Sequence, residues 1–203
     1  MAEEERSIIG TTRTFSTSKG ILTYAQLSDE IAPCLLKLID DIVDGKYHND
    51  RLDENLIKKF HNEIIGQIIP EIAGNWRTEP VQVGSWIPAP SYEIPMLISE
   101  YFRTLNTRLE HSNTFELQIE LLAYAEGELL HIHPFQDFNG RTVRAFLTEL
   151  LCRLELPIID LAVEQGSSKY QIYRNALAEY DLGRISPLVE FWKLRLTEAV
   201  ALN

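Results

Sequence analysis

Four residues capable of chemistry fall within twelve positions of the chain: His133, Asp137, Arg141 and Arg144, in the run HisProPheGlnAspPheAsnGlyArgThrValArg at 133–144. An imidazole accepts a proton near neutral pH, so His133 is a candidate general base. Its position before Pro134 keeps it out of a helix interior. A single carboxylate beside a phosphate site suits Mg²⁺, which takes one or two carboxylates together with phosphate oxygens and water; Asp137 is that candidate. Asn139 and Gly140 are placed to turn backbone amides toward an anion, glycine allowing close approach. Arg141 and Arg144 stand at i, i+3 and share a helix face. The helix that begins here presents free amides and partial positive charge, which repel two arginines in the first turn. A polyphosphate resolves the conflict by taking up amides and guanidinium groups together.

The elements that must hold these residues are read from periodicity. Helical spacing runs over residues 24–43, with Pro33 inside, and over 52–69, ending at Pro70. It returns at 94–105, 115–131, 139–154 and 167–180, and Ser186-Pro187 opens a last helix with an N-cap and an N1 proline. Between Gly74 and Pro95 the period changes: Val81 and Val83 alternate across Gln82, Gly84-Ser85 can turn, and three prolines exclude helix. That stretch is predicted as a short exposed hairpin with an extended link. Residues 1–20, rich in Ser, Thr and charge, are expected to be a mobile arm. The fold class is all-α with one β-hairpin.

Composition narrows the function. A chain of 203 residues suits one domain with an N-terminal extension, divided as an arm and helix over 1–50 and a domain over 51–203. The net charge of −11, with no basic stripe, argues against nucleic acid as a partner. Arg77, Arg141 and Arg144 are nevertheless able to form a local cationic pocket. No run approaches the ~20 apolar residues of a membrane span, and the acidic start of the chain does not read as a secretory signal, so a cytoplasmic protein is expected. Cys34 and Cys152 lie in apolar helical patterns and are expected as free thiols rather than a disulfide.

The 133–144 run resembles the core motif of the Fic family, HPFxDGNGRxxR, at every position except Phe138, where the family has glycine or sometimes alanine. Residues 53–66 resemble its upstream Leu/Ile-x-x-x-His helix, AlaGlyAsnTrpArgThr at 73–78 its GNYR-type turn, residues 81–90 its hairpin flap, and 185–192 the helix start that closes the core; the matches span about 50–195. The resemblance implies a Fic-type helical bundle that moves AMP from Mg²⁺·ATP to a Ser, Thr or Tyr hydroxyl of a target protein. It makes His133 the base, Asp137 the metal ligand, Arg141 the contact to the α/β-phosphates and Arg144 the contact to the γ-phosphate, with the Asn139 and Gly140 amides beside them. Val81, Gln82, Val83 and Gly84 become a flap that docks the target by adding a strand. Tyr170 and Tyr173 either border the adenine or pack in the core.

Phe138 strains the loop if its φ is positive, so glycine there is expected to relax the site and preserve transfer. Phe135 is expected to pack beneath the loop; His131 reads as surface, and His48, His61 and His111 as carrying no chemistry. Residues 1–50 lack the [S/T]xxxE[G/N] inhibitory pattern, which leaves restraint by a separate inhibitory protein, by oligomerisation, or none. Two other functions stay open: a Fic-fold enzyme using another phosphate-containing donor or removing AMP, and an idle Fic fold serving as an interaction module.

Overall fold

A computed structural model describes residues 13–84 and 86–201. Among them are seven α-helices: α1 (Tyr24–Val43), α2 (Glu54–Ile65), α3 (Ile94–His111), α4 (Phe115–Ile132), α5 (Asn139–Arg153), α6 (Ser168–Asp181) and α7 (Ser186–Ala201). The centre is built by α4 and α5. Leu121, Leu122, Ala123, Ala125, Glu126, Gly127 and Leu129 of α4 are buried, and α5 is buried from Ala145 through Leu151. Helices this apolar on several faces fit only where neighbours surround them. Here α1, α2 and α4 all pack on α5, and α3, α6 and α7 pack on α4. Gly127 belongs to this packing: a Cβ there would lie 2.5 Å from the Tyr180 ring, so α6 crosses α4 at a distance only glycine permits.

Residues 133–138 join α4 to α5, so the chemically loaded segment hangs between the ends of the two central, most buried helices. Its surroundings differ from expectation in two places. Arg13 onward is not a mobile arm; residues 1–12 of that expected arm lie outside the described residues. Thr14–Thr17 (β1) pairs antiparallel with Gly20–Thr23 (β2), Thr14 facing Thr23 and Thr17 facing Gly20. That register leaves the two-residue turn Ser18-Lys19, followed by Gly20 at φ +99°. Ser18 anchors the turn, its amide donating to Ile68 O at 2.9 Å and its hydroxyl to Gln67 O at 2.8 Å. The hairpin runs directly into α1 through a capping box. Thr23 Oγ accepts from the Gln26 amide, and Gln26 Oε1 accepts from the Thr23 amide.

The second difference is the 81–90 stretch. It holds one antiparallel bridge, Val83 to Trp86, with both backbone bonds at 2.9 Å, rather than a laddered hairpin. A short 3₁₀ turn, Ser91–Glu93, then leads into α3. No helix among the described residues is long and apolar enough to cross a membrane. Cys34 and Cys152 are both free.

Candidate active site

His133 ends α4 in the left-handed region, at φ 51°, its amide still bonded to Leu129 O. Pro134 blocks any further turn. The Nδ1 of His133 faces the Leu130 carbonyl at 3.3 Å, so Nδ1 carries the proton and Nε2 keeps its lone pair for the cavity. Burial lowers the His133 pKa from its ordinary 6.5; the Arg77 charge adds to this, while the Leu130 bond and Asp137 oppose it. The ring is therefore neutral, and able to accept a proton, at neutral pH. Arg77 does not join a cationic pocket. It is 3% exposed and turned inward. Its Nε donates to His133 O at 2.8 Å, its Nη2 to Ala89 O at 2.6 Å, and its amide to Pro134 O at 2.9 Å. The 73–78 turn thus grips the backbone on both sides of the histidine.

Below the loop, Phe135 is 1% exposed and stacks on His61 with ring centroids 3.9 Å apart. Asn139 spends its side chain on the same residue: Oδ1 accepts from the Phe135 amide at 2.9 Å and Nδ2 donates to its carbonyl at 2.8 Å. Any contact of Asn139 with an anion falls to its backbone amide. Phe138, the N-cap of α5, sits at φ 59° with no side-chain cap, and its carbonyl accepts from the Arg141 and Thr142 amides. The amides of Asn139 and Gly140 lie ahead of that ladder, as the first amides of a helix do. A Cβ on Gly140 would meet nothing within 4 Å, so the fold itself does not require glycine there, and the space is open to a ligand.

Asp137 Oδ1 accepts from the Phe138 amide at 2.9 Å. Its Oδ2 lies 2.8 Å from Arg13 Nη2, yet off the line of the guanidinium N–H bonds, leaving that oxygen an ion-pair partner but no directed hydrogen bond. Arg141 Nη2 donates to Ser28 Oγ at 2.8 Å, whereas its Nη1 is buried without a partner. Arg144 Nε reaches back to Gly140 O at 3.2 Å. A cavity of about 250 Å³ is lined by His133, Asp137, Asn139, Gly140, Arg141 and Arg144, with Tyr24 closing one side.

One carboxylate oxygen without a directed hydrogen bond and one guanidinium nitrogen without an acceptor, both on residues that line this cavity, fit a divalent cation carried on a polyphosphate. They do not fit a cation held by protein alone, since no group of three or more His, Cys, Asp or Glu gathers among the described residues.

The other candidate residues stand outside this cavity's lining. Tyr173 donates its hydroxyl to Glu126 at 2.7 Å and stacks on Phe191 at 5.2 Å. Glu126, 2% exposed, also receives the Trp192 indole at 2.8 Å and lies 3.5 Å from Arg195, so Tyr173 belongs to a buried network joining α4, α6 and α7. Tyr170 is half-buried in the first turn of α6. Val81, Gln82, Val83 and Gly84 lie at the surface, Val83 39% exposed, and Gln82 Nε2 donates to Gly84 O at 2.9 Å. The next described residue, Trp86, lays its ring 4.4 Å from the His131 imidazole and donates its indole N–H to His131 O at 3.2 Å. His131, which reads as surface from sequence, is half-buried, with Nδ1 2.9 Å from Asp181.

Sequence reading passes over Arg13, Phe15, Tyr24, Ser28 and His61. A two-residue turn between Thr-rich runs, and the Thr23/Gln26 capping pair, signal the hairpin and helix start. No local pattern marks Ser28.

A family model described as the Fic/DOC family matches residues 51–151. Over 152 residues the chain is 33% identical to "Protein adenylyltransferase Fic" of Drosophila persimilis, an alignment covering 72% of this chain and 28% of that protein. The chain thus spans little more than a quarter of the length of that relative. Among solved structures, BepC of Bartonella tribocorum with bound AMPPNP superposes with a TM-score of 0.73 at 19% identity, covering 92% and 93% of the two chains. Fic-1 of C. elegans (E274G) superposes at 0.65 with 26% identity, over 84% and 48%. The likeness extends over most of the described fold, and the motif segment lies inside the stretch matched by the family model. The chain belongs to the Fic/DOC family.

Proposed function

We propose that this chain is a protein adenylyltransferase, transferring AMP from ATP to a Ser, Thr or Tyr hydroxyl of another protein. The observation that carries the reading is the single cavity of about 250 Å³ into which His133, Asp137, Asn139, Gly140, Arg141 and Arg144 all open. His133 Nε2 takes the proton of the target hydroxyl as its oxygen bonds to the α-phosphorus. The bond from that phosphorus to the β-phosphate bridging oxygen breaks, and pyrophosphate leaves. The Leu130 carbonyl holds the imidazole in the tautomer this needs, and Arg77 holds the His133 backbone. Arg141 Nη1 and the Asn139 and Gly140 amides orient the α- and β-phosphates, and Arg144 holds the γ-phosphate. Asp137 Oδ2 would hold Mg²⁺, which when bound neutralises phosphate charge.

Within Val81–Gly84, the backbone not already paired to Trp86 at Val83 is offered to an extended target segment. Tyr170, rather than Tyr173, is the aromatic left to border the adenine. The name of the Drosophila relative, an adenylyltransferase, and the AMPPNP in the BepC structure agree with this reading.

The test is His133→Ala with labelled ATP and Mg²⁺, reading self-labelling or labelling of a supplied target. Transfer is expected to fall by at least a hundredfold, as loss of a general base does, with nucleotide affinity nearly unchanged. Transfer within tenfold of the parent removes His133 from the base role.

A further inference from the structure

His61 reads from sequence as carrying no chemistry, and it stands outside the lining of the cavity described above. It is nonetheless the most constrained imidazole in the molecule. It is fully buried on α2 and lies flat on Phe135, with an interplanar angle of 6°. Its Nδ1 accepts the Gly74 amide at 2.9 Å. An amide can only donate, so Nδ1 holds a lone pair and the ring proton sits on Nε2. That proton is directed to the Asp137 carbonyl at 3.2 Å. Gly74 cannot be replaced without disturbing this approach: it stands at φ +68°, and a Cβ would come 3.2 Å from Lys58 O.

The loop is therefore fastened at both ends by the same turn. Arg77 holds the backbone of His133 and Pro134 directly. Gly74 holds Asp137 through His61.

We propose that His61 is a positioning residue for the Asp137 carboxylate. By fixing the Asp137 carbonyl against the 73–78 turn, it aims the side chain on the same residue into the phosphate cavity and keeps it in register with His133. The inference rests on the adenylyltransferase reading only in naming what Asp137 serves; the positioning itself is independent of the reaction.

Two conservative variants separate the links. Glutamine at 61 carries an amide N–H at the reach of Nε2 and keeps the Asp137 link; asparagine carries an oxygen at the reach of Nδ1 and keeps the Gly74 link. Amide hydrogen exchange is read on the full chain for the Phe138 amide, which is held by Asp137 Oδ1, and for core amides of α5. Mn²⁺ affinity in the presence of ATP is read by paramagnetic resonance, with Asp137→Asn as reference.

In His61→Asn, Phe138 exchange is expected to rise at least tenfold relative to the core, and Mn²⁺ affinity to fall about tenfold, the lower end for partners of metal ligands. His61→Gln is expected to stay within threefold of the parent on both. Equal Phe138 protection in parent, Asn and Gln variants overturns the proposal. So does loss of protection spread evenly through α2 and α5, which marks a packing role alone. If the parent binds Mn²⁺ no better than Asp137→Asn does, while the exchange pattern holds, the adenylyltransferase reading fails and the positioning role stands.

Discussion

Phe138→Gly tests how a motif position usually given to glycine has been rebuilt. Phe138 is 5% exposed, and its ring lies 6.1 Å from that of Phe15 on β1 and 5.4 Å from the Arg141 guanidinium. Deleting a buried phenylalanine side chain costs ~3–5 kcal/mol; under a peripheral hairpin the lower figure applies, ~3 kcal/mol. Glycine recovers ~1 kcal/mol of left-handed backbone strain and loses ~0.5–1 kcal/mol to the greater freedom of the unfolded chain. The last two nearly cancel. A net loss of ~3 kcal/mol lowers Tm by roughly 6–12 °C in a chain of this length.

The sequence-based expectation that glycine relaxes the loop and preserves transfer counts only the backbone; burial of the ring reverses the sign for stability. Phe138→Ala removes the ring, keeps the strain and escapes the entropy loss of glycine, so it is expected to melt within about 2 °C of Phe138→Gly. Calorimetric melting of both variants, and of Phe15→Ala alone and combined with Phe138→Gly, supplies the cycle. A coupling of ~0.5–1.5 kcal/mol between the rings is expected. Phe138→Gly melting at or above the parent refutes the reasoning.

Arg144→Ala should lose preference for ATP over ADP by roughly ten- to a hundredfold, the worth of a charge-assisted hydrogen bond of ~1.5–3 kcal/mol; calorimetry with both nucleotides reads it. Arg13→Ala should tighten Mn²⁺ binding about two- to fivefold. The ion pair it removes is over half exposed on the arginine side and worth at most ~1 kcal/mol; unchanged affinity shows that Arg13 does not compete for Asp137. His61, with its pKa lowered from 6.5 to about 4, binds a proton in the unfolded chain before it does in the folded one. Stability is then whole above pH 6.5, is lost as pH falls toward 4, and changes no further below that. The loss is on the order of 3 kcal/mol, and denaturant melts across this window should show a smaller loss in His61→Gln.

The helices were legible because their faces are periodic. The 24–43 and 115–131 readings match α1 and α4 to within a residue, since caps such as Thr23 and Thr114 mark where each apolar stripe begins. The motif was legible because its residues are adjacent in sequence. What escaped is the ring of distant residues around it. Ser28 meets Arg141 across 113 positions and His61 meets Asp137 across 76, and no local spacing encodes such pairings. Arg77 was misread for a related reason: a charge in a turn resembles a ligand contact until its acceptors, backbone carbonyls of α4 and the loop, are seen. The 13–23 hairpin was lost to composition, because Ser and Thr suit both a disordered arm and a strand.

Of the three tryptophans, Trp192 is sealed in the core, while Trp76 lies 5.0 Å from Phe135 and Trp86 lies against His131. The chain therefore carries its own optical probes. Light emitted by Trp86 should report its contact with His131. Trp76 senses the floor of the 133–138 loop, and Trp192 supplies a fixed internal reference. Strand docking on the flap and ligand entry into the cavity should therefore give separable fluorescence changes in the unlabelled protein, and replacing one indole at a time with phenylalanine assigns each signal to its end of the site.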